Sequence, residues 1–430
     1  MAAPAPVKFH DSDASVHLDA LRGLAALAVF LGHARQFFLQ GGLHGAISSN
    51  GSSTGLASAP QTPPLLYHFQ LESFRHFNRE WLTLGHQSVV IFFVLSGFLV
   101  GGSALRSYRK GAFSWKEYVA HRLCRLWTVL WPALLLGLLL DTASMHLLHA
   151  PPNLAALYRP GFHSIANGML GLPTLLANAF FLQGIVSTVF GSNEPLWSLS
   201  FEFWYYAFFP FLLIALLTPG RRFVRVLAAM ALMILLVFTG WTIAAYFSIW
   251  LMGVVVSISP LRLSPRLHSA AIAAAGLLLL ALTAFELKHG LPLFVSDFIA
   301  GVAASTLIWS LLHARRATVG PVYTFCARHL SAMSFTLYLV HFPMLGILSA
   351  WLMPTWAPWR VSAASLAKFS VIVVAVFAAS WAVYFCFERN TPRIRRAIAG
   401  FWAARHNGVA RFSPKQRGRP QAARILKADS

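Results

Sequence analysis

Charge is what this sequence has least of, and acid above all. Charged residues are 11% of the 430, with 13 Asp and Glu against 34 Lys and Arg. A water-covered domain carries about 25% charged residues. That shortfall excludes an ordinary soluble surface and leaves lipid as the surrounding medium. Cysteine is scarce too. Cys124, Cys326 and Cys386 lie in or beside apolar segments, with neither a disulfide framework nor metal-ligand spacing. Residues 1–17 hold Lys8 but also Asp11 and Asp13, and no small-residue cleavage site follows Gly32-His33-Ala34-Arg35. The first apolar segment is therefore expected to be a retained span. The net charge of +21 would suggest nucleic acid if it formed one patch, but the basic residues sit in short runs between apolar segments. That pattern is a topology signal, and no nucleic-acid motif accompanies it.

Hydrophobic residues are abundant, at 57%. A span needs roughly 20 predominantly apolar residues. Ten stretches qualify: 20–40, 86–105, 126–147, 195–217, 223–239, 241–258, 268–285, 292–312, 332–353 and 367–388. The expected fold is an all-α integral membrane bundle of about ten transmembrane helices. Only Gly240 separates the fifth and sixth, which predicts a tight helical hairpin. Residues 165–185 contain Gly168, Gly171 and Pro173 and read as an interfacial or re-entrant helix. The long loops 41–85 and 147–194 hold only Arg75, Arg79 and Arg159, while most other Lys and Arg fall in the alternate loops and the tail. The positive-inside rule then puts both termini in the cytoplasm and those two loops outside. Residues 41–64, rich in Gly, Ser, Thr and Pro, are expected to be a flexible external loop. The basic stretch 391–430 is expected to be an unstructured tail near anionic lipid.

Ionisable groups inside a span are costly, so each needs a reason. Arg22 and His33 are eleven residues apart, close to three helical turns, so they share a face and are separated by about 16 Å of rise. Arg22 falls near the cytoplasmic boundary, where Asp19 can pair with it. An arginine there suits phosphates. A histidine deeper in suits proton transfer, because its pKa lies near neutrality. Taken singly, Arg22 also reads as a snorkelling anchor and His33 as a helix-to-helix hydrogen bond.

The second cluster is Trp197-Ser198-Leu199-Ser200-Phe201-Glu202-Phe203-Trp204-Tyr205-Tyr206, opened by Pro195. Glu202 is expected to meet a histidine, an arginine or a substrate hydroxyl, or else to fix packing. The aromatic residues suit either an interfacial belt or stacking on a sugar ring. The third group, Phe92 to Gly101, places glycines at 97 and 101 for close helix approach. Ser96 lacks the strand–turn–helix setting of a nucleophile elbow. Arg122 and Arg125 follow on one face of the next span and suit an anionic cofactor. In the ninth span His341 precedes Pro343, which predicts a kink there. Asp297 and Glu388 are expected to pair helices.

These groups, in this order, resemble the acyltransferase 3 family of bacterial membrane O-acyltransferases. The matching pieces are LDALRGLAALAVFLGH (18–33), FFVLSGFLVG (92–101), HRLCRLWTVLWP (121–132), PLWSLSFEFWYY (195–206) and SFTLYLVHFP (334–343). The resemblance implies a transmembrane acyltransferase domain over 18–390 and a place in the bacterial cytoplasmic (inner) membrane. It also implies transfer of an acyl group, usually acetyl, from cytoplasmic acyl-coenzyme A (acetyl-CoA) to a hydroxyl of a glycan or glycolipid. No metal is expected. Arg22 and His33 match the family's essential arginine and histidine, Arg122 and Arg125 its basic pair, and Glu202 its acidic residue. The expected roles follow. His33 and Glu202 are catalytic, with His33 as base or as acyl carrier. Arg22, Arg122 and Arg125 hold coenzyme A. Trp197, Ser200, Tyr205 and His341 face the acceptor. The sequence departs from the family pattern at His121, where a further Arg is common, at Thr128, where Pro is frequent, and in its long 41–64 loop. The rival readings are a membrane scaffold without chemistry and a proton-coupled transporter of a glycan or lipid-linked substrate. The sequence lacks the paired broken helices such carriers show.

Overall fold

A computed structural model describes residues 13–39, 84–148, 170–259, 264–289, 292–313, 319–353 and 358–398. Residues 40–83, which include the 41–64 loop, residues 149–169 and the 399–430 part of the tail lie outside the described residues. The elements in order are α1 (Asp13–Phe38), α2 (Leu84–Ser96), α3 (Trp115–Leu147), α4 (Leu172–Ala179), α5 (Leu196–Leu217), α6 (Arg222–Ile258), α7 (Pro265–His289), α8 (Leu293–His313), α9 (Pro321–Leu352) and α10 (Ala363–Cys386). α2 runs on through a π-helical turn, Gly97–Gly101, into Gly102–Arg109.

Among the described residues, eight helices are long and apolar enough to cross a bilayer. The difference from the ten expected lies in two places. Both the fifth and the sixth expected spans fall within α6, a 37-residue element broken at Gly240, where φ 83° and ψ 169° leave the helical region. A straight helix of that length would run about 55 Å against a hydrocarbon core of about 30 Å. In α7 the apolar stretch Arg266–Leu282 is shorter than a span. α4 has eight residues, too few to cross, as expected of an interfacial or re-entrant piece. The tail departs from expectation at its start. Residues 391–398 are helical, and the Thr391 carbonyl accepts the Cys124 thiol at 3.9 Å, which ties the turn after α10 to α3.

Lipid offers no hydrogen bonds, so every polar group a helix frees must be met inside the bundle. Three prolines lie inside spans, and each removes the N–H that its i−4 carbonyl would have accepted. Two of those carbonyls are recaptured from neighbouring segments. Pro343 frees Leu339, whose carbonyl accepts Asn193 Nδ2 at 2.7 Å. Pro210 frees Tyr206, whose carbonyl accepts the Tyr118 hydroxyl at 3.1 Å. These bonds join α9 to the segment entering α5, and α5 to α3. That entering segment is itself pinned. Asp141, buried on α3, accepts the Ser192 N–H at 2.8 Å and its hydroxyl at 2.7 Å. Asp297 joins three helices as expected: His86 of α2 lies 2.9 and 3.0 Å from its two oxygens, and the Tyr246 hydroxyl of α6 donates to it.

The α2–α6 crossing is a reciprocal glycine contact. A Cβ on Gly97 would lie 1.8 Å from the Trp250 carbonyl oxygen, and one on Gly253 would lie 2.0 Å from that of Val94. Both obstacles are backbone, so neither can swing aside. Gly137 of α3 meets nothing within 4 Å. Gly97→Ala and Gly253→Ala should therefore each lower thermal stability in detergent, by about 1–3 kcal/mol or more. Gly137→Ala should leave it equal or raise it by up to about 1 kcal/mol. Wild-type melting of both crossing variants would show that the helices do not meet this closely.

Candidate active site

α1 lies against α9, and this contact assembles the centre. Gly23 permits it, since a Cβ there would sit 2.7 Å from Leu330 Cγ. Beside it the Ser331 hydroxyl accepts Arg22 Nε at 2.7 Å and donates to Asp19 at 2.8 Å, while Arg22 Nη2 lies 3.2 Å from Asp19. Arg22 thus reaches this position already oriented by one carboxylate and one hydroxyl.

About three turns further along α1, His33 meets His341. His33 Nδ1 is 2.8 Å from His341 Nε2, and the rings stack with centroids 5.1 Å apart and planes within 9°. His341 Nδ1 lies 2.8 Å from the Leu337 carbonyl. A carbonyl only accepts, so neutral His341 carries its proton on Nδ1 and presents Nε2 as an acceptor. His33 then donates its Nδ1–H to that atom. The arrangement puts the lone pair of His33 on Nε2, the nitrogen that can take a proton. Phe342 packs edge-on against His33 at 5.1 Å. His341 was expected to face the acceptor; the structure places it as the partner of His33 instead, fully buried.

Glu202 links α5 to α2. Its Oε1 accepts the Ser96 hydroxyl at 3.1 Å and the Tyr206 hydroxyl, and Ser96 Oγ in turn accepts Trp250 Nε1 at 3.1 Å. The carboxylate is also within electrostatic reach of Arg22 and of Tyr338, one turn before His341. Ser96 thus has a place in the polar network although it lacks a nucleophile elbow.

At the other end Arg122 lies 5.7 Å over the rings of both Tyr118 and Tyr206, with its buried Nε unpartnered. Arg125 is exposed and lies within electrostatic reach of Arg22, Tyr206 and Glu388. Glu388, after α10, accepts the Thr336 N–H of α9 at 3.0 Å. A polar track therefore runs from Arg125 and Arg122, past Arg22, Glu202 and Ser96, to the histidine pair. Its cationic end suits phosphates, and its far end holds a base.

The remaining expectations fare differently. Ser200 is fully buried, and its hydroxyl donates to the Phe181 carbonyl at 2.8 Å. Tyr205 is fully enclosed by Phe93, Phe208, Phe247 and Trp250. Trp197 packs edge-on against Phe93 and Phe201. Burial gives Ser200 and Tyr205 packing duties, while Trp197 is only partly buried. Ser331, Thr336 and Asn193 were not anticipated. Each is a small polar residue beside a motif, a weak signal on its own.

Comparison with known proteins follows the same lines. Proteins of Staphylococcus aureus strains COL, MSSA476 and MRSA252, provisionally named O-acetyltransferases, are each 28% identical over 152 residues, 34% of this chain. The chain spans only 23% of the length of these curated relatives. No solved structure matches. The acyltransferase domain profile of the acyltransferase 3 family matches residues 16–385, which holds α1 to α10 except the first three residues of α1 and the last of α10, and the whole polar track from Arg125 to the histidine pair. The chain belongs to the acyltransferase 3 family.

Proposed function

We propose that this protein transfers an acyl group, acetyl before other short acyl groups, from cytoplasmic acyl-coenzyme A to a hydroxyl of a cell-envelope or exported glycan at the bacterial inner membrane. The observation that carries this reading is the His33–His341 pair standing at the end of a cation-headed polar track. In this reading the bundle has ten spans. α6 supplies two, one on each side of Gly240, α7 supplies one, and both termini are cytoplasmic.

Arg125 and Arg122 receive the coenzyme A phosphates, which cannot enter lipid, and Arg22 holds the cofactor deeper in. The pantetheine arm then carries the thioester along the track. His33 Nε2 takes the proton of the acceptor hydroxyl as its oxygen attacks the thioester carbonyl. The tetrahedral intermediate collapses, the C–S bond breaks, and the coenzyme A thiolate leaves with the proton returned from His33. His341 accepts the Nδ1–H throughout, which keeps the basic nitrogen aimed one way. Glu202 acts from the side, fixing Ser96 and Tyr206 along the path. In the two-step variant, His33 Nε2 takes the acyl group first and passes it on.

Membranes containing the protein, fed radiolabelled acetyl-coenzyme A, should pass label into a saccharide fraction. His33→Ala should lower that rate by about 10²–10⁴ while the protein still folds and inserts. Near-normal transfer by this variant removes His33 from its role. If coenzyme A does not bind at all, substrate flux in vesicles without it becomes the expected result and the carrier reading replaces this one.

Two further variants separate positioning from binding. His341→Leu removes the acceptor for the Nδ1–H, so kcat should fall with the KM for acyl-coenzyme A little changed. His341→Gln can present a carbonyl oxygen in place of Nε2 and should recover part of the rate. Equal activity for the two would mean that His341 only fills space. Arg122→Gln should raise the KM for acyl-coenzyme A more than it lowers kcat, the signature of lost uniform binding.

A further inference from the structure

Buried amides without partners are rare in a folded chain and costlier still in lipid. Among the described residues Gln36, Gln87, Gln183 and Asn193 carry an unpartnered amide atom, and three of them bear on the site. Gln87, in the first turn of α2, is 3% exposed, and neither its Nε2 nor its Oε1 has a hydrogen-bond partner. Gln36, in the last turn of α1, is 8% exposed with Nε2 unpartnered. Asn193, just before α5, is 2% exposed with Oδ1 unpartnered. In the topology derived above, all three lie toward the external face.

Their neighbours place Gln36 and Asn193 beside the reaction centre, and Gln87 on a helix packed against α1. Gln36 follows His33 by three residues, one turn outward on the adjoining face of α1. Asn193 spends its Nδ2 on the Leu339 carbonyl, two residues before His341, so its remaining oxygen is held near that histidine. α2 packs against α1 and α8. The residue before Gln87, His86, is clamped to both oxygens of Asp297, which fixes the first turn of α2. Gln87 does not hold the helices together through either amide atom, and the Asn193 oxygen adds nothing to the bond its Nδ2 makes. An apolar residue in place of Gln87 would fit the bundle better.

We infer that Gln87, Gln36 and Asn193 form a hydrogen-bonding subsite that receives a polyhydroxylated acceptor from the external side and presents one hydroxyl to His33. Primary amides suit this ligand class. Each offers both a donor and an acceptor, as a sugar's vicinal hydroxyls do, and carries no charge to be neutralised. The subsite rests on the acyl-transfer reading for its position relative to His33, but not for its binding chemistry.

The test uses the full chain in lipid nanodiscs, with octyl glycosides of glucose, galactose and mannose as probes and an octyl polyoxyethylene ether as the sugar-free control. At least one glycoside should raise the melting temperature saturably where the ether does not. Gln87→Leu should abolish that shift and Gln36→Leu should weaken it, with acetyl-coenzyme A binding unchanged. Gln87→Leu should itself melt higher than wild type, because it removes an unpartnered buried amide, while its acceptor KM rises at least tenfold. Active variants with a wild-type acceptor KM would overturn the subsite and assign the amides to ordered water. So would the absence of any glycoside-specific shift in the wild-type protein. Glycoside binding that Gln87→Leu abolishes, in a protein that transfers no acyl group, keeps the subsite and removes the acyl-transfer reading instead.

Discussion

The contact between α1 and α9 is the constraint on which the centre depends. Arg22 and His33 belong to one helix, and their bonded partners, Ser331 and His341, belong to the other. The partners are ten residues apart on α9 where the first pair is eleven apart on α1, so the two helices bring matched pairs into register at both levels. Close approach at Gly23 lets the short Ser331 hydroxyl reach the guanidinium. Moving either helix by one residue would turn each side chain by about 100° and break both contacts together. The Arg22 guanidinium and the His33 imidazole are therefore set by a single packing event. That gives a physical reason for an arginine and a histidine to share one helix face at this distance.

The bilayer explains why so many of the other contacts are hydrogen bonds from side chain to backbone. In water, a carbonyl freed by proline would find solvent. Here Leu339 and Tyr206 are met by Asn193 and Tyr118, and both capturing residues lead back to the polar track. Asn193 borders the histidine pair, and Tyr118 lies beneath Arg122. The prolines thus do more than bend helices. Each leaves an acceptor whose capture fixes a neighbouring segment next to functional side chains.

Much of this was legible in the sequence. Long apolar runs and the distribution of Lys and Arg are properties of one chain read in order, so they gave the helical membrane architecture. The eleven-residue interval placed Arg22 and His33 on one face before any partner was known. What could not be read was which face of one helix meets which face of another. That rotation is set by packing among small residues such as Gly97, Gly253 and Gly23, and single-helix periodicity does not encode it. The partner of Glu202 was left open among a histidine, an arginine and a substrate hydroxyl, whereas its carboxylate is taken by Ser96 and Tyr206. Ser200 and Tyr205 misled for a related reason. A polar aromatic motif looks the same whether it lines a cleft or fills a core, and here Phe93, Phe247 and Trp250 close over Tyr205.

The distribution of satisfied and unsatisfied polar groups separates what the fold needs from what a reaction needs. Asp141, Asp297 and Glu388 each accept bonds from a residue on another segment, and their burial is compensated inside the chain. The open atoms of Arg122, Gln36, Gln87 and Asn193 have no such compensation. The Tyr205 hydroxyl and Gln183 Oε1 are also open, in α5 and in the segment before it. Arg122 stands at the cationic end of the track, and the three amides stand beyond the histidines at its other end. In the proposed reading, the open polar atoms at the two ends of the path are completed by two ligands of different charge, an anionic one past the arginines and a neutral, hydroxyl-rich one past the amides. A donor and an acceptor that approach from opposite sides of a membrane and meet at one imidazole would fill that pattern. A scaffold with no chemistry would have gained stability by closing both ends.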